Sequence, residues 1–175
     1  MANPVEAPLE AREQALLDQL RRDAAEGVGD PPELELEKET WRQDLSALMS
    51  RLEVWLTDSQ LEDKLSIEKW DLEILEDELE PYVVTAVTIV VRTRHPRKVL
   101  VTPRAMQVVG GVFADADGKE RRLVGARGRV DITCGASREI LLRIIGDDET
   151  TWRWLQRDAK LTEDNFFTVL GEMIE

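Results

Sequence analysis

Two side chains of the kind that act as nucleophile and base, His95 and Cys134, occur once each in this 175-residue chain. Nucleophilic catalysis needs such groups to meet in space with a third that orients them. His95 stands beside a proline in "RTRHPRK", a stretch that predicts a basic turn, whereas Cys134 falls on the apolar phase of a strand. The expectation is therefore a turn histidine and a core thiol. No "GxSxG" elbow anchors a Ser–His–Asp set, and no catalytic residue is assigned. One cysteine and one histidine are too few for an ordinary structural zinc site. "DADG" (Asp115 to Gly118) opens like a calcium loop but lacks the later acidic ligands, so it predicts a hairpin turn. "GARG" and "VVGGV" are not followed by a helix, as a phosphate-cradling loop would be. Gly110 and Gly111 are expected to mark a bulge or bend. No cofactor and no metal are implied.

What remains is charge. The net charge is −13, unevenly spread: residues 1–80 hold 23 acidic and 8 basic side chains, residues 81–175 hold 13 and 15. The cluster "EILEDELE" gathers Glu73, Glu76, Asp77 and Glu78, which predicts a solvated acidic patch fit for a protein partner. Residues 92–129 carry 10 basic and 3 acidic side chains. Arg92, Arg94, Arg97, Lys98 and Arg104 surround one strand connection, and Lys119, Arg121, Arg122, Arg127 and Arg129 line the next hairpin. These form a candidate surface for an anion or a nucleic acid, or else are neutralised by the acidic half. Sheets that bind single strands usually add exposed aromatics on which bases stack. Only Phe113 lies in this region, so stacking would fall to Trp152 or Trp154.

The elements that must carry these groups follow from periodicity. Leu9, Leu16, Leu17 and Leu20 suggest an N-terminal helix, ended by Gly27, Gly29, Pro31 and Pro32. Leu45, Leu48, Met49, Leu52, Trp55 and Leu56 recur at spacings of three and four, with Thr40 and Gln43 as an expected capping box. "KWDLEIL" alternates with period two, which favours a strand over 67–76, although its glutamates and leucines also fit a helix. "YVVTAVTIVV" predicts a central strand, followed by "KVLVT", two strands around "DADG", "REILLRIIG" and "TTWRWLQR". From Gly125 to Gly135, parity sorts Ala126, Gly128, Val130, Ile132 and Cys134 to one face and Arg127, Arg129, Asp131 and Thr133 to the other. That arrangement lets Asp131 pair with Arg129 or a cross-strand arginine. Thr162 is the expected N-cap of a last helix with Phe166, Phe167, Leu170, Met173 and Ile174 on one face.

Connections this short exclude parallel crossovers. The fold class expected is α+β: an antiparallel meander sheet of about six or seven strands with helices packed on one face. Residues 1–32 would form the N-terminal helix and a flexible break, and 33–175 a single domain.

The segments "VLVTPRAM", "LVGARGRVDI" and "LTEDNFFTVL" together resemble a family of uncharacterised bacterial proteins over residues 80–174. The resemblance implies no activity, substrate or site residue. The chain start shows no basic leader with an apolar core, and no apolar run nears the roughly 20 residues of a membrane span. With one cysteine, a reducing cytoplasm is expected. The leading expectation is a non-enzymatic protein-interaction protein of the bacterial cytoplasm: an adaptor, an immunity-type inhibitor or a subunit of a larger assembly. Its partner would be another protein. A nucleic-acid-binding accessory domain is the alternative, and a carboxylate-dependent hydrolase comes third.

Overall fold

The structure, a computed structural model, describes residues 31–59, 61, 63–77, 79–107, 112–114, 120–122 and 126–175. The chain divides into two compact units, Met1–Glu37 and Lys38–Glu175. The expected helix between Leu9 and Leu20 lies outside the described residues.

Helix α1 spans Pro31–Asp58. It starts nine residues before Thr40, so the expected capping box is corrected: Thr40 is interior, and Gln43 Nε2 donates instead to Glu39 Oε1 at 3.4 Å. The cause is local. Pro31 and Pro32 fit a first turn that needs no intrahelical donor, and the Glu, Leu and Lys that follow are strong helix formers. From Lys38 onward α1 buries Trp41, Leu45, Leu48, Met49, Leu52 and Leu56. Each such side chain contributes about 1.5–3 kcal/mol, so their burial dominates any propensity term.

Among the described residues nine strands follow: β1 (Leu65–Ile74), β2 (Tyr82–Val91), β3 (Arg97–Ala105), β4 (Val112–Ala114), β5 (Glu120–Arg122), β6 (Ala126–Cys134), β7 (Ser137–Ile145), β8 (Thr150–Trp154) and β9 (Ala159–Lys160). Seven form one antiparallel sheet in the order β1-β2-β3-β6-β7-β8-β9. β4 and β5 pair separately from that sheet, and the predicted hairpin turn at Asp115 to Gly118 lies outside the described residues. The strand predicted at 67–76 is therefore present, shifted by two residues. Helix α2 (Glu163–Ile174) closes the chain, with Thr162 and Asn165 forming a capping box and Phe166, Val169, Leu170 and Met173 buried.

Both helices share one apolar cluster with Val87, Ile89, Val99, Val101, Val130, Ile132, Leu141, Trp152 and Trp154. These strand residues are neighbours across the register: Ile89 faces Val99, Val101 faces Ile132, Val130 faces Leu141, and Leu141 faces Trp154. They define the helix-covered face. A smaller cluster of Ala126, Ile140, Leu142 and Leu155 packs on the other.

The β1–β2 pair changes its buried face along its length. Val87, Ile89 and Val91 join the helix-covered cluster at one end, and Tyr82 and Val84 at the other, in an uninterrupted register. β3 pairs with β2 only from Val87 to Val91, so residues 82–86 belong to a two-stranded ribbon. Such ribbons twist more strongly than wide sheets, and the twist turns the opposite parity toward the core.

Candidate interaction surfaces

The tip of that ribbon carries the acidic patch. Glu76, in the turn after β1, accepts hydrogen bonds from the backbone amides of Met106 and Gln107, each at 2.8 Å, and from the Tyr82 hydroxyl. Burial, and then donation to the Glu76 carboxylate, push the Tyr82 phenol above its ordinary range. The Lys38 ammonium stands 6.0 Å from the Tyr82 ring centroid. The turn is thus latched to the segment after β3. Glu73, Asp77 and Glu80 remain exposed, and Leu75 between them is 72% exposed, the most open large apolar side chain of residues 38–175 described. Of the four carboxylates expected as a contact surface, Glu73 and Asp77 face solvent, Glu76 is committed inside the chain, and Glu78 lies outside the described residues. Leu75 was missed by sequence reasoning. It breaks the even-numbered apolar phase of Trp70, Leu72 and Ile74, and that was the available signal.

The basic residues do not form one surface. Arg92, Arg94, Arg97 and Lys98 are all exposed around the β2–β3 turn. Lys64, whose carbonyl accepts from the Arg92 amide at 2.7 Å, and Arg138 at the start of β7 join them at that end of the sheet. Arg104, Arg127 and Arg129 stand at the other end of β3 and β6, roughly 25 Å away for a nine-residue strand. Two of these three are engaged: Arg129 Nε meets Asp131 Oδ1 at 2.6 Å, and Arg104 Nε meets Asp131 Oδ2 at 3.2 Å. Asp131 is 2% exposed, so its charge is held by these two guanidinium groups. Arg121 and Arg122 belong to β5, but their side chains, like Lys119, lie outside the described residues. Among the described residues no acidic side chain pairs with Arg92, Arg94, Arg97 or Lys98, so neutralisation by the acidic half is not seen at that turn.

Two placements alter the sequence expectation further. Trp152 and Trp154 are buried against the helices and offer no stacking surface; the half-buried Trp70, whose indole donates to Thr88 Oγ1 at 3.2 Å, lies on the opposite face. The parity of Ala126–Cys134 is also broken. A register shift between Ala126 and Arg129 sends Ala126 to the second cluster while Val130 joins the first. Gly128 sits in this bulge at φ +126°, and a Cβ there would come 2.4 Å from the Trp41 ring. Beside it, Arg143 is fully buried. Its Nε donates to Asp44 Oδ2 at 2.7 Å and its Nη1 to the Arg127 carbonyl at 3.2 Å, with the guanidinium 5.8 Å from the Trp41 ring. Nη2 lies 2.6 Å from the same Asp44 oxygen but off the hydrogen-bonding line. These bonds tie α1 to β6 and β7 and leave no face of Arg143 for a ligand.

His95 is exposed in the β2–β3 turn, where its carbonyl accepts from the Thr93 hydroxyl, and Cys134 is buried with its thiol free. An open cleft of about 400 Å³ lies between α1 and the β1–β2 ribbon, with Glu39, Arg42, Asp71 and the exposed Val83 on its walls. Among the described residues no three His, Cys, Asp or Glu side chains are grouped to hold a metal. No described helix is long and apolar enough to cross a membrane. No family model, curated protein or solved structure matches the chain.

Proposed function

We propose that this is a non-enzymatic interaction protein that binds another protein through the β1–β2 turn. The observation that carries this is the open Leu75 set among Glu73, Asp77 and Glu80 on a turn latched by Glu76. A fixed apolar anchor with a charged rim is the anatomy of a recognition site, because the turn loses little freedom on binding and the rim steers the encounter. An adaptor, an inhibitor or an assembly subunit of the bacterial cytoplasm would all use such a turn. The test compares proteins co-purifying with the tagged chain and with its Leu75→Asp and Glu73→Lys/Asp77→Lys variants. A partner lost in both variants, with the fold intact by circular dichroism, supports the proposal. An unchanged set of partners removes it.

A second reading rests on a different observation: Arg92, Arg94, Arg97 and Lys98 are exposed around the β2–β3 turn and meet no acidic side chain among the described residues. These suit the phosphate backbone of a nucleic acid, which would bind with steep salt dependence. Absence of binding to DNA and RNA at low salt removes this reading.

A further inference from the structure

β1 is an edge strand ten residues long, and no described strand pairs with its outer side. Long open edges attract further strands unless charges oppose the pairing. The Arg92 amide bonds to the Lys64 carbonyl, which fixes the phase of the ladder. Even-numbered residues of β1 therefore turn their backbone groups toward β2, and Ile67, Lys69, Asp71 and Glu73 turn theirs outward.

We propose that the β1 edges of two copies of this chain pair antiparallel about a two-fold axis at Trp70, joining their sheets. The selection of partner and register comes from charge. A two-fold axis at Trp70 sets Lys69 of each copy opposite Asp71 of the other, two opposite-charge pairs on the helix side of the sheet. Moving the axis to residue 69 sets lysine against lysine, and moving it to residue 71 sets aspartate against aspartate. Only the central register joins both charges to opposite ones. There Lys69 and Asp71 exchange the backbone hydrogen bonds, and the two Trp70 residues meet as a non-hydrogen-bonded pair, where side chains approach most closely. The half-buried Trp70 lies on the face away from the helices and is free to cover its twin. The same symmetry places the basic Lys64–Arg92 corner of one copy beside the acidic ribbon tip of the other. Lys69 is already held 2.6 Å from Glu53 of its own α1, so its position at the edge is set before association. The pairing rests on the β1 edge and not on Leu75, but it brings the ribbon tip that carries Leu75 beside the other copy, so the position-70 cross-link is what tells the two proposals apart.

Sedimentation of the full chain at tens of micromolar gives the first readout, with Asp71→Lys as the charge probe. Asp71 is exposed, so this change leaves the fold intact, which circular dichroism checks. The second readout is cross-linking under a mild oxidant. Non-hydrogen-bonded partners sit at a Cα separation that a disulfide spans, so Trp70→Cys should form a covalent dimer. Glu68→Cys, whose twin is four positions out of register, should not. The buried Cys134 does not compete. The expected result is a dimer that Asp71→Lys weakens at least tenfold and that cross-links through position 70 alone. A monomer at these concentrations overturns the proposal. So does a dimer indifferent to Asp71→Lys, or equal cross-linking at positions 68 and 70.

Discussion

Three residues carry the tightest constraints. Gly128 combines a left-handed backbone with contact against Trp41, so Gly128→Ala meets both conformational cost and overpacking. Together these predict a loss of about 2–4 kcal/mol in urea unfolding. Asp44→Ala leaves the guanidinium of Arg143 buried without its counter-charge. The predicted cost is about 3 kcal/mol, the low end for broken buried pairs because Asp44 is itself partly open. Asp44→Ala/Arg143→Met should recover most of that loss in a double-mutant cycle. Tyr82 is the only tyrosine in the chain, so tyrosinate absorbance reports it alone. Its phenol is raised above the ordinary value of 10.0 in the folded state. The neutral form is therefore favoured by folding. Its contribution is fully present below pH 10 and is lost as pH climbs from there toward the folded value. Tyrosinate should appear near pH 10 in denaturant, but only at higher pH, together with unfolding, in the native protein. None of the three is visible as special in the sequence. Gly128 fits the apolar phase of its strand, Arg143 fits an outward phase, and only the third dimension brings Trp41 and Asp44 against them.

At the scale of elements, the strands were readable where burial follows a simple period. Tyr82–Val91, Arg97–Ala105 and Thr150–Trp154 stand where β-branched and aromatic residues predict them, and α2 starts at its expected Thr162 cap. The reading failed where a local signal competed with a stronger continuation. Thr40 and Gln43 match a cap, but helix-forming residues run straight through them, and Trp41 extends the apolar stripe one turn ahead of Leu45. In β1 the core-facing apolar phase changes between Ile67 and Leu72, because the ribbon twists once it leaves β3. The latch at Glu76 holds that ribbon tip. Glu76→Ala should speed amide hydrogen exchange at Met106 and Gln107 while leaving the β6–β7 ladder protected. Equal acceleration in both places would show that Glu76 supports the whole domain instead.

For the whole molecule, segregated charge was readable from the sequence, but its arrangement was not. The acidic ribbon tip and the Arg92–Lys98 turn occupy opposite ends of β2, while Arg104 and Arg129 are consumed by Asp131 at the acidic end. A run of basic residues in sequence was thus cut in two by a strand, since each β-strand carries its ends apart by about 3.3 Å per residue. The sequence marks Glu73, Glu76, Asp77 and Glu78 as an acidic patch, yet the open apolar side chain among them, Leu75, emerges only when Glu76 is seen to face inward. A photo-reactive amino acid placed at Leu75, and separately at Arg94, tests the central claim most directly in living source cells. Apart from adducts to another copy of the chain, the account predicts one discrete adduct to a different protein from position 75 and none from position 94. No adduct at 75, or a nucleic-acid adduct at 94, would contradict it.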